Sequence, residues 1–250
     1  MARRLAVLAV GGLAISAVCL SLAASLAENR VPAFGFPFGG HFTWRAFFGE
    51  SCTATPKGDS TATSREFAWD GDDSVAINIR ADVHYRPGPS RNVTVRGAPE
   101  TLRHVQVEDG IIEFDCNWTG GNGGTLDVTL PGSAMRNFAV NGSGHLFLDN
   151  IEQNELRIAI HGSGDVHGRG EADRLDLAIT GSGDADLGRL SVKRLRAAIA
   201  GSGDADVAPQ DDADVVIAGS GNVRLHSQPR RLSSKVVGSG RVISSPDTPI

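Results

Sequence analysis

The chain has 250 residues, a formal net charge of -5, 31 glycines and a single tyrosine. That length can bury a full hydrophobic core without metal or disulfide staples, and the glycine content favours many short turns over long helices. The acidic balance argues against nucleic acid as a partner, because a polyanion is repelled unless basic side chains concentrate somewhere. The densest basic run is Lys193, Arg194 and Arg196 with Arg189 nearby. No aromatic side chains interleave its charges, so it reads as the solvated face of a repeat.

Residues 1–27 read as an export signal. Arg3 and Arg4 precede an uncharged run from Leu5 to Ala27, and Ser25 and Ala27 supply small residues at a cleavage site before Glu28. The same run is long enough to remain as a membrane anchor. Cys19 raises a lipoprotein reading, against which Val18 is bulkier than such a cleavage site normally accepts. Export to the periplasm or cell envelope would place the remaining cysteines in an oxidising compartment. Cys52 and Cys116 can then form a disulfide worth roughly 3 to 4 kcal/mol on the loop-entropy model, with two buried free thiols as the alternative. Two cysteines do not make a metal site, and no CxxC argues for redox catalysis.

Residues 28–65 read as an apolar leader followed by a linker. "ENRVPAFGFPFGGHFTWRAFF" mixes aromatics with Pro and Gly at no stable period, and the segment through Ser64 is rich in Ser, Thr and Gly. From residue 66 the period becomes two. "SVAINIRADVHY" puts Val75, Ile77 and Ile79 on one face, and "NVTVRG" pairs Val93 with Val95. "HVQVEDGIIEFDC" turns at Asp109 and Gly110, and "GTLDVTLPG" aligns Leu126, Val128 and Leu130. These are half-buried strands with turn punctuation, and nothing after the signal has the length and period of an amphipathic helix.

The second half repeats. Gly-Ser-Gly starts at Gly142, Gly162, Gly181, Gly201, Gly219 and Gly238, at intervals of 20, 19, 20, 18 and 19 residues. Two residues before each triplet stand Val140, Ile160, Ile179, Ile199, Ile217 and Val236; four before stand Phe138, Ile158, Leu177, Ala197, Val215 and Ser234. After the triplets the period of two resumes, as in Leu146 and Leu148 or Ala205 and Val207. Such columns predict an all-β fold, a parallel β-solenoid whose rungs stack about 4.8 Å apart. Its expected extent is 66–243, with the triplet repeats at 126–243 and a tail at 244–250. Propeller blades need about 40 residues or more per unit. The earliest strands are either degraded rungs or a separate cap, and Ser234 marks the last rung as terminal in character.

"SVAINIRADVHY", "VEDGIIEF", "GTLDVTLPG" and the repeated "GSGD" turns, in this order over roughly 70–243, resemble the DUF2807 or GIN-domain family of autotransporter adhesin head domains. The resemblance implies a right-handed parallel β-helix in an exported bacterial protein. A self-translocating adhesin would also need a C-terminal membrane barrel, for which the few residues after Gly240 leave no material.

The turns carry the candidate chemistry. Gly162, Ser163, Gly164 and Asp165 are matched by Gly181, Ser182, Gly183 and Asp184, by Gly201, Ser202, Gly203 and Asp204, and by Gly219, Ser220, Gly221 and Asn222. Stacked carboxylates could form a calcium ladder, but calcium needs six to eight oxygens in closed geometry and Asn222 breaks the column. The structural reading is a corner: Gly permits unusual dihedrals, Asp or Asn accepts a local backbone N-H, and Ser hydroxyls bond along the ladder. His161, Ser163 and Asp165 hold the residue types of a hydrolytic triad, yet a recurring turn singles out no one serine. Paired acids also raise a polysaccharide-processing β-helix enzyme, against which the turns are short and aromatic platforms are missing. The expectation is a non-enzymatic structural or interaction module without a cofactor. Its partner would be an envelope protein or glycan met through a flat sheet, and a homo-oligomer could cap an open solenoid end.

Overall fold

The structure, a computed structural model, describes residues 61–116 and 125–244. The export signal at 1–27, nearly all of the leader and linker at 28–65, Cys52, and the tail beyond Ser244 lie outside the described residues.

The repeat forms as its columns predict. Strands β8 (Asn137–Gly142), β9 (His145–Gly162), β10 (Asp165–Gly181), β11 (Ala185–Gly201) and β12 (Ala205–Gly219) follow the chain around successive turns of a parallel solenoid. The last turn carries β13 (Asn222–Leu225), β14 (Arg231–Gly238) and β15 (Arg241–Ser244). Each complete rung has three sides. In β10 the first is Asp165–Gly168, the second Gly170–Ala172 and the third Arg174–Gly181, and each side pairs in parallel with its counterparts in β9 and β11.

Inward side chains stack in the columns that the spacing anticipated. Ile77, Val140, Ile160, Ile179, Ile199 and Ile217 form one on the third side, and Val83, Leu146, Val166, Ala185, Ala205 and Val223 form one on the first; all are buried. Uneven repeat lengths are absorbed where the sides meet. Between β11 and β12 the register jumps at Leu187/Ser191 and at Val192/Arg194. A longer loop in one rung thus leaves the columns on either side aligned.

The earliest strands are both rungs and cap, in an order the chain does not follow. β2 (Ser74–Ile77) and β3 (Ala81–Tyr85) make a rung that pairs with β8 and β9 on one side. On its other side lie β6 (Ile111–Phe114) and β7 (Leu126–Thr129), which come later in sequence. Beyond these the pairing turns antiparallel. β5 (Val105–Glu108) covers β6, while β4 (Asn92–Arg96) covers β7 and is itself covered by β1 (Ser64–Ala68). A one-turn helix, α1 (Pro99–Leu102), buries Leu102 against this end.

Ile199 lies mid-column and is only 2% exposed, so its truncation leaves a cavity that flanking rungs cannot close. Ile199→Ala should destabilise the fold by about 2 to 5 kcal/mol, seen as a lower urea midpoint with an unchanged slope.

Candidate functional site

The corner turns superimpose from rung to rung, and their two glycines do different work. Gly181 has φ of +125°, a left-handed region that side-chain-bearing residues avoid. Gly183 has no room: a methyl group there would overlap the Gly164 carbonyl oxygen of the rung before and come within 2.8 Å of Ile160 Cγ2. The close approach lets the Ser182 N-H donate to the Gly162 carbonyl at 2.8 Å, repeated by Ser202 to Gly181 and Ser220 to Gly201.

The acidic position is also a rung-to-rung contact. The Asp184 N-H donates to Asp165 Oδ1 at 3.1 Å, the Asp204 N-H to Asp184 Oδ1 at 2.7 Å, and the Asn222 N-H to Asp204 Oδ1 at 2.7 Å. The expected local Asx turn is therefore corrected. Each carboxylate closes the corner of the next rung, whose N-H the stacking at about 4.8 Å brings within hydrogen-bonding reach. The serine hydroxyls make no ladder: Ser163, Ser182, Ser202 and Ser220 are exposed and contribute their backbone N-H instead.

This arrangement dissolves the hydrolytic triad. Asp165 faces His145, with Nδ1 to Oδ2 at 3.4 Å, and neither His161 nor Ser163 bonds to it. Nor do the corner acids converge on a cation. Among the described residues, only His104, Asp115 and Cys116 bring three donor atoms within 4.8 Å of one another. Cys116 is disulfide-bonded, so its sulfur is not a thiolate ligand, and its partner lies outside the described residues. His104, buried between Asp115 Oδ1 at 3.1 Å and Cys116 Sγ at 3.3 Å, belongs to the cap.

Sequence reading missed an aromatic ladder on the first side. His84, Phe147 and His167 stack with centroids 4.8 and 5.2 Å apart and planes within 12°. Their faces cover one another along the axis, which leaves only ring edges for a ligand and so no platform for a sugar. The column continues as Asp186, Asp206 and Arg224, with Arg224 Nη1 2.9 Å from Asp206 Oδ1.

The third side carries the concentrated charge. Two outward columns run in register: Glu155, Arg174, Arg194, Asp212, Arg231, and beside it Asn137, Arg157, Asp176, Arg196, Asp214, Ser233. Arg157 holds Glu155 at 2.6 Å, and Arg231 holds Asp212 at 2.5 Å. Arg174, Arg194 and Arg196 make no hydrogen bond or close ion pair among the described residues, and they line a shallow concavity of about 690 Å³ with Asp212 and Asp214. Lys193, a member of the basic run in sequence, instead pairs with Asp173 at 2.6 Å. The true neighbours of Arg194 are one rung away rather than one residue away.

Asp176 sits beneath this cluster, 9% exposed, with Oδ1 buried and unpartnered. Burial pushes its carboxyl above the ordinary range, and Arg174, Arg196 and Arg157 pull against that without cancelling it.

The described residues form a parallel β-solenoid with short corners and ladders of outward charge. The chain belongs to the DUF2807 family, described as "Putative auto-transporter adhesin, head GIN domain", whose model matches residues 73–244. A solved "putative adhesin" from Bacteroides fragilis has the same fold, with TM-score 0.60 and 17% identity over 73% of this chain and 96% of that one. A "putative lipid binding protein" from Parabacteroides distasonis matches at TM-score 0.49 and 17% identity, over 73% of this chain and 96% of its own. No curated protein matches the chain.

Gly183→Ala forces backbone apart and should cost at least about 1 to 3 kcal/mol, whereas Ser182→Ala should stay within about 0.5 kcal/mol; urea titration of both variants separates the two roles. A raised folded pKa means that the folded chain binds the Asp176 proton more tightly than the unfolded chain. The contribution therefore favours folding below the unfolded carboxyl pKa of about 3.9 and is lost as pH rises through the folded value. Asp176→Asn should accordingly raise the melting temperature at pH 7, with the gain fading as pH falls toward 4.

Proposed function

We propose that the protein is an exported, non-catalytic interaction module of the cell envelope. We further propose that it meets an envelope glycan or protein on the third side of the solenoid. One observation carries the reading: Arg174, Arg194 and Arg196 from two adjacent rungs line one concavity and, among the described residues, make no hydrogen bond or close ion pair. Guanidinium groups held on a packed sheet lose little freedom on binding and offer fixed donors to carboxylate, sulfate or phosphate. Asp212 and Asp214 beside them suit a ligand that also presents hydroxyl or amide donors. The same acids, with the net charge of -5, oppose nucleic acid.

Export rests on the Arg3–Ala27 segment and on family membership. A cleaved signal gives a periplasmic or surface protein; a retained one gives an anchored domain. In an oxidising compartment Cys52 is the natural partner of Cys116, the other cysteine, Cys19, lying within the export segment.

Envelope fractions passed over the immobilised protein should yield a reproducible ligand. Arg194→Glu with Arg196→Glu should weaken its capture by at least about tenfold, the loss expected for fully removing one or two charge-assisted contacts. Equal capture by the double variant would refute this face as the contact surface.

A further inference from the structure

The two ends of the solenoid are finished differently. Antiparallel strands β1, β4 and β5 close the first end. At the other, β14 pairs only with β12 and β15 only with β13 among the described residues. Interior columns consequently run out into solvent: Ile217 is fully buried, whereas Val236, one rung later in the same column, is 39% exposed. Leu232 is 46% exposed one rung beyond the buried Ala213. Among the described residues this eight-residue strand thus offers a row of backbone groups with no strand partner and apolar side chains beside them, guarded within the strand by the charges of Arg231 and Lys235 but by neither a proline nor a bulge.

We infer that this edge is closed by a second copy of the chain, β14 pairing antiparallel with the same strand of its partner about a two-fold axis through Ser234. The strand reads Arg-Leu-Ser-Ser-Lys-Val-Val-Gly from Arg231 to Gly238, and centring on Ser234 makes it self-complementary. Leu232 falls opposite the partner's Val236, so both interior columns continue across the seam. Lys235 falls opposite the partner's Ser233, and Arg231, already neutralised by Asp212 at 2.5 Å, falls opposite the partner's Val237. No like charges stand directly opposed, the condition that most penalises a cross-strand pair. The two Lys235 side chains lie on the diagonal, outward and solvated, where salt screens them.

Ser234 itself favours this occupant. It is the polar residue in a column whose preceding members are Val215, Ala197, Leu177, Ile158 and Phe138. A hydroxyl at the end of such a column needs a hydrogen-bonding partner once covered, and on the axis an identical hydroxyl meets it. The chain's own apolar leader fits less well. Pro37 interrupts its aromatic run and Pro32 precedes it, and proline cannot donate to a ladder.

The test uses the secreted form of the chain beginning at Glu28, with its native disulfide kept. Analytical ultracentrifugation across a concentration series should show a monomer–dimer equilibrium. Val236→Lys places a charge in the seam and should raise the dimer dissociation constant by more than about tenfold, while circular dichroism stays unchanged. Ser234→Cys should give a disulfide-linked dimer under oxidising conditions, and Ser239→Cys, beyond the paired strand, should not. A chain that remains monomeric throughout overturns the inference, whether its own leader or a foreign peptide covers the edge. So does a dimer that ignores Val236→Lys and leaves Ser234→Cys uncrosslinked.

Discussion

The contact on which the molecule depends is backbone against backbone at the Gly-Ser-Gly corner. Successive corners approach so closely that Gly183 cannot carry a methyl group without striking the Gly164 carbonyl. At that distance the serine N-H of one rung reaches the glycine carbonyl of the rung before, and the aspartate carboxylate reaches the next rung's N-H. The corner therefore sets the register for the rest of the rung. Every inward column inherits its alignment, and a slip by one residue would turn apolar side chains outward.

Function follows from the same constraint. Strands stacked in parallel place outward side chains in ladders, so charges from different repeats gather into faces. The concavity around Arg174, Arg194 and Arg196 arises in this way. The carboxylate ladder at the corners, by contrast, is occupied by the backbone it holds, which leaves it little capacity for a metal. Rigidity is what the scaffold contributes to recognition, because side chains rooted on a packed sheet are already ordered before a partner arrives.

A stack of rungs also has ends, and their treatment separates folding from assembly. The first end spends three antiparallel strands and a helical turn on closure. The last end leaves Leu232 and Val236 half in water, at a cost only association or another cover can remove. Closure at one end and exposure at the other give the module a direction.

How much of this was legible depends on how local each signal is. A 19-residue beat and columns such as Ile160, Ile179, Ile199 and Ile217 are properties of the sequence alone, since burial imposes its own periodicity, and they sufficed for the parallel solenoid and for the corner positions. The inverted order of the early strands was not legible. β2 and β6 alternate apolar residues equally well, and only pairing energy decides that β6 lies beyond β2 while β8 lies within. Nor could spacing along the chain find the charged face, where Arg174 joins Arg194 and Arg196 while Lys193 turns away to Asp173. The His84, Phe147 and His167 stack was hidden for the same reason, its members lying in different rungs. The sequence by itself determined the repeat, its period and its inward face, because each is written within a single turn of the chain. Tertiary structure alone decided which outward groups meet and which strand is left at the edge, because those depend on neighbours about 19 residues apart or more that only stacking brings together.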